Sequence, residues 1–136
     1  MSKNEKRVQR ILVVEDEPVI NALCRRVLAA MGARVDTAAN GRLAREALAK
    51  QCYDLLLVDI RMPDMDGKEL YTWLKEKHPE MADRVIFATG ELITGDIEAF
   101  LKQSGRPFLT KPFGRGELEA TVRQALLTEG DKCPKK

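Results

Sequence analysis

A doubly wound α/β fold with a five-stranded parallel sheet is predicted by three features of the chain. Five short apolar runs alternate with five amphipathic stretches, and turn-forming residues mark the joints. The runs, rich in Val, Ile and Leu, lie at residues 11–14, 34–38, 53–59, 84–89 and 107–111. Strands that alternate with helices must be parallel neighbours joined by crossovers, and right-handed crossovers place helices on both faces of the sheet.

The first run, Ile11 to Val14, has no polar alternation, as expected for a strand covered on both sides. Pro18 suits a first helical turn, and Val19, Ile20, Leu23, Val27 and Leu28 form one apolar face of a first helix ended by Gly32. After the second run, Leu43, Ala44, Ala47 and Leu48 repeat at helical spacing. The third run is continuously apolar before Asp59, and Pro63 with Gly67 interrupt the chain beyond it. Leu70, Trp73 and Leu74 belong to a third helix, with Tyr71 and Trp73 read as packing residues. The fourth run is again unbroken, so strands one, three and four should form the sheet centre. Ile97, Phe100 and Leu101 mark a fourth helix, and Leu118, Val122, Ala125 and Leu126 a fifth.

The 136 residues suit one domain, assigned to 9–128, with a flexible arm at 1–8 and a flexible tail at 129–136. With 23 Lys plus Arg against 21 Asp plus Glu, the charge is nearly balanced and gives no footprint of a nucleic-acid binder. Hydrophobic residues make up 44%, enough for a core without metal or disulfide staples. Cys24, Cys52 and Cys133 are an odd number and form no CxxC pair, which suggests neither a disulfide framework nor a zinc site and fits a reducing compartment. The first apolar run is too short for a signal peptide, and no run approaches the ~20 residues that span a bilayer. A soluble, cytoplasmic protein is expected.

Ligands of doubly wound sheets bind beyond the carboxyl ends of the strands. Here strand one ends in Glu15 and Asp16, strand three in Asp59, strand four in Thr89, and strand five in Lys111 followed by Pro112. Alone, Asp16 reads as a helix cap, Thr89 as a turn former and Lys111 as a solvated charge; together they gather at one edge. Three carboxylates there would repel, each pair by about 3 kcal/mol at ~5 Å and an effective dielectric of ~20. An all-oxygen cluster without His or Cys favours a hard cation, and few carboxylates favour Mg²⁺ over a caged Ca²⁺. An EF-hand is excluded because Met62 stands where the Asp64, Asp66, Gly67 run would need an Asp. A metal beside a carboxylate, a lysine and a hydroxyl suits phosphoryl transfer to an acid side chain, with Asp59 as the nucleophile.

The segments ILVVEDEP, LLLVDIRMPDMDG, FATG and LTKPF, in that order, resemble the receiver domain of two-component response regulators. The resemblance spans about residues 9 to 128 and implies a flavodoxin-like (βα)5 fold with strand order 2-1-3-4-5. It makes Asp59 the phosphoacceptor for a phosphohistidine on a sensor histidine kinase. It also implies that Asp16, Asp59 and the backbone carbonyl of Arg61 hold Mg²⁺, that Glu15 binds it through water, and that Thr89 and Lys111 hold phosphoryl oxygens. The Lys111–Pro112 peptide is expected to be cis. Phe108 stands where the family places a switching aromatic, which would change the face made by the fourth helix, fifth strand and fifth helix. That face would bind a downstream protein target. No direct nucleic-acid or membrane partner is expected, and the protein would be a monomer or a phosphorylation-dependent dimer.

Some residues depart from the family pattern. The acidic pair is Glu-Asp rather than Asp-Asp, and Glu17 adds a third acid to which the residues assign no role. Arg61 and Glu91 would flank the pocket and pair over its mouth, hindering the hydrolytic water. His78 is given no catalytic role. A Mg²⁺-dependent aspartyl-phosphate phosphatase would need a second Asp where Arg61 stands, and a flavin phosphate would be repelled by Glu15, Asp16 and Glu17. The chain is thus read as a phosphoacceptor that assists its own phosphorylation and dephosphorylation rather than as an enzyme. It is either a stand-alone regulator or the receiver of a hybrid kinase that relays phosphate to a histidine phosphotransfer protein.

Overall fold

The computed structural model describes residues 8–62, 64–90 and 95–129. The elements run β1 (Arg10–Val14), α1 (Pro18–Ala30), β2 (Arg34–Ala38), α2 (Gly41–Lys50), β3 (Leu55–Asp59), α3 (Gly67–Lys77), α4 (Pro79–Ala82), β4 (Val85–Thr89), α5 (Gly95–Ser104), β5 (Phe108–Thr110) and α6 (Arg115–Glu129). The strands pair in parallel in the order β2-β1-β3-β4-β5, as the flavodoxin-like topology requires. Residues 1–7 and 130–136, which hold most of the expected arm and tail, lie outside the described residues. Among the described residues no helix is long and apolar enough to cross a membrane.

Among the described residues, six helices stand where five were expected. His78 closes α3 and Pro79 opens the four-residue α4, so the expected fourth and fifth helices are α5 and α6. Proline has no amide hydrogen to continue the preceding helix, yet suits a first turn.

Two cores form because alternate residues of the central strands face opposite ways. Leu12, Val14, Leu56, Val58, Val85 and Phe87 pack against α2, α3, α4 and α5. Ile11, Val13, Leu55, Leu57, Ile86 and Ala88 pack against α1 and α6. Tyr71, Phe87 and Phe100 meet edge to face, with ring centroids 5.0–5.7 Å apart, and so lock α3 and α5 onto β4. Val19 and Leu43 fall outside the core despite their helical spacing. Each sits in the first turn of its helix.

Local signals set the joints. α1 ends in a Schellman motif, with the Ala33 amide donating to Leu28 and the Gly32 amide to Ala29, and Gly32 at φ 96°. α3 opens with a capping box, in which Asp66 accepts from the Glu69 amide and the Glu69 carboxylate accepts from the Asp66 amide. A β-carbon at Gly67 would lie 2.6 Å from the Asp59 carbonyl oxygen, so only glycine lets α3 start this close to the end of β3.

Two features escape the sequence reading. Cys52 is disulfide-bonded, where the sequence suggested no disulfide, so cysteine usage no longer supports a reducing compartment. Cys24 is buried and free, and burial pushes its thiol up to about 12. Arg84, read as the start of a strand, is fully buried just before β4 and pairs with Asp54, its Nη1 3.7 Å from Oδ1. The other Asp54 oxygen accepts the Arg10 amide at 2.8 Å. Arg84 Nε and Nη2 find no acceptor among the described residues. Arg84→Ala is expected to cost about 3–5 kcal/mol in urea denaturation, because it leaves Asp54 buried without its cation. Arg84→Met combined with Asp54→Asn should recover most of that loss, since the amide oxygen still accepts from Arg10.

Candidate functional site

The carboxyl ends of β1, β3, β4 and β5 converge because the strands are parallel and in register. Glu15 follows β1 on the side of Ile11 and Val13, and its amide donates to Ala38 at 3.0 Å. Asp59 ends β3 and is buried, as is Glu15. Lys111 follows β5, its amide donating to the Thr89 carbonyl at 2.8 Å, and the Lys111–Pro112 peptide is cis.

The ammonium of Lys111 is the centre of the site. Its Nζ lies 3.0 Å from Asp59 Oδ2, 3.1 Å from Glu15 Oε2 and 2.9 Å from Glu17 Oε1. An ammonium has three donors, and all three are engaged. The second oxygen of Asp59 accepts the Arg61 amide at 3.3 Å. Burial, then the charge of Asp59, push Glu15 up to about 7. Burial also raises Asp59, opposed by its hydrogen bond and charge pairing with Lys111. For Lys111, burial disfavours the charge, but hydrogen bonds to Glu17, Asp59 and Glu15 outweigh it and hold the ammonium above its usual range.

Of the expected metal ligands, Glu15 and Asp59 come together and Asp16 does not. Asp16 is exposed, whereas Glu17 places an oxygen within 4.8 Å of those of Glu15 and Asp59. Glu15 turns inward at the end of β1 and the next side chain turns out. The chain then enters α1 with Glu17 as an extended N-cap, its amide 3.2 Å from Glu15 Oε2. Glu17 had no role in the sequence reading, and its place beside two other acids was the available signal. This all-oxygen group, two of its members buried, fits a hard dication such as Mg²⁺.

Thr89 is buried at the end of β4 beside Lys111. Phe108 pairs in register with Phe87, which puts it on the same sheet face as Phe87 and Thr89. The residue is 41% exposed and borders a cavity of about 620 Å³ that Arg106, Thr121 and Gln124 also line. Arg61 is exposed at the site, and Glu91 lies outside the described residues.

Residues 11–123 match the family model described as the response regulator receiver domain. The chain belongs to this family. Among curated relatives, the response regulator protein PilR of Pseudomonas aeruginosa is 40% identical over 118 residues, covering 87% of this chain and 26% of PilR. A CheY-like receiver domain protein from Methanospirillum hungatei superposes with a TM-score of 0.82 at 26% identity, covering 90% of this chain and 97% of that one. TrrA of Thermotoga maritima, solved with Mg²⁺ and BeF, gives 0.75 at 31% identity, covering 88% and 100%. The receiver spans about a quarter of PilR.

As a response regulator receiver the chain is a signalling domain. Its acidic pocket imposes a pH dependence. A carboxyl group raised on folding contributes stability below its unfolded pKa and loses it as pH climbs through the folded value. For Glu15 that window runs from the ordinary 4.5 to about 7. Without divalent cations, the wild type should lose of order 2–3 kcal/mol between pH 5 and pH 8 in urea denaturation. Glu15→Gln should reduce that slope and exceed the wild type in stability at pH 8.

Proposed function

We propose that this receiver accepts a phosphoryl group on Asp59 from the phosphohistidine of a sensor kinase, and that the change is read on the face made by α5, β5 and α6. One observation carries this reading: the Lys111 ammonium 3.0 Å from Asp59, with Glu15 beside it, on a carboxylate that closes a buried strand. An Asp59 oxygen forms the new P–O bond while the P–N bond to histidine breaks, and the imidazole leaves with the electron pair and takes up a proton from solvent. Mg²⁺, when bound, supplies positive charge against the phosphoryl oxygens. Glu15 and Asp59 would hold it with the Arg61 carbonyl, Glu17 adding negative charge at the rim, and Asp16, exposed in this structure, would join only by turning inward.

Lys111 and the Thr89 hydroxyl then bond phosphoryl oxygens. Drawing Thr89 toward the acyl phosphate frees space on the sheet face it shares with Phe108, and the outward ring turns in. A protein target, or a second copy of the chain, would read the altered face. Arg61 and Glu91 would set the lifetime of the phosphorylated state. The domain is placed in the cytoplasm with its kinase, and no nucleic-acid contact is assigned to this stretch, whatever the rest of a longer relative binds.

Incubation with acetyl phosphate and Mg²⁺ should add one phosphoryl group to the intact mass. Asp59→Asn should abolish the gain, and so should chelation of the metal. A gain that survives in Asp59→Asn would refute the assignment.

A further inference from the structure

Every donor of the Lys111 ammonium is already spent on a carboxylate, so a phosphoryl oxygen can reach it only if one of the three partners lets go. The three are not equivalent. The Glu15 and Asp59 side chains are each 4% exposed, whereas Glu17 is 59% exposed. In the metal-free pocket, releasing Glu15 or Asp59 would strand a carboxylate in a buried setting, but Glu17 would exchange the ammonium for water at little cost; once Mg²⁺ is held by Glu15 and Asp59, Glu17 is the partner left on the ammonium. Glu17 is also the N-cap of α1 and makes no side-chain capping hydrogen bond, so the helix does not depend on its carboxylate.

We propose that Glu17 is a positioning residue, a releasable latch that holds Lys111 in the unphosphorylated receiver and is displaced when a phosphoryl group arrives. The inference rests on the phosphoacceptor reading of Asp59. Its carboxylate opposes the phosphoryl group by occupying a donor that the group needs, while its negative charge helps draw Mg²⁺ to the same pocket. Glu17 therefore acts in opposite senses on the two ligands.

Calorimetric titration of the full chain, first with Mg²⁺ alone and then with beryllium fluoride at saturating Mg²⁺, separates the two actions. Glu17→Gln should weaken Mg²⁺ binding about threefold, through loss of one nearby charge, and tighten beryllium fluoride binding about fivefold. Glu17→Asp keeps the charge but shortens the arm by one methylene. It should weaken Mg²⁺ binding less than Glu17→Gln does, and bind beryllium fluoride like Glu17→Gln. Thermal melts of both variants should match the wild type. If beryllium fluoride binding in Glu17→Gln is unchanged or weaker, the latch is overturned. If Glu17→Asp matches the wild type for both ligands, charge alone acts and the latch is likewise overturned. A wild type that binds neither ligand would overturn the phosphoacceptor reading and the latch with it, whereas normal wild-type binding with unaltered variants would remove the latch alone.

Discussion

A single ammonium set against three carboxylates governs this molecule. Two of those acids, Glu15 and Asp59, are buried at the ends of central strands, where uncompensated negative charge is costly. Lys111 makes their burial tolerable, and it comes from an edge strand of only three residues. Its place therefore depends on the backbone pairing of β5 with β4, down to the bond between the Lys111 amide and the Thr89 carbonyl. The charge balance and the sheet register thus support each other. Glu15 and Asp59 still sit above their usual carboxylate range despite Lys111, so one lysine only partly neutralises the pocket. The remaining negative potential suits a dication.

The rest of the fold holds this edge steady. Continuous apolar strands between two helical layers give Asp59 a rigid base, and the aromatic triad of Tyr71, Phe87 and Phe100 braces the layer beneath Thr89. A second buried ion pair, Arg84 with Asp54, stands at the opposite end of β3 and β4. The two pairs differ in kind. Arg84 and Asp54 are shut away from solvent, whereas the Lys111 cluster keeps one exposed member and so remains open to exchange.

Strand and helix identities were legible because periodicity reports burial directly, and the central strands were the ones with unbroken apolar runs. The convergence of Glu15, Asp59, Thr89 and Lys111 on one edge was legible too, since parallel strands bring their carboxyl ends together. What escaped depends on direction and context rather than composition. Spacing does not say that Asp16 turns out while Glu17 turns back, because that is decided by the backbone between β1 and α1. Arg84 was placed only at the start of a strand, and nothing in its spacing reveals that Asp54 stands opposite it. Val19 and Leu43 keep helical spacing yet sit in exposed first turns. Cys52 was misread because cysteine counting says nothing about which thiols meet.

Gly67 fixes how α3 relates to Asp59. Its amide donates to the Ile60 carbonyl at 2.9 Å, and there is no room for a methyl group between the helix start and the backbone of Asp59. Main chain rests on main chain at that junction, with no side chain between to compress or rotate. The end of β3 and the head of α3 are thereby held as one rigid piece, so the Asp59 carboxylate has a fixed anvil behind it.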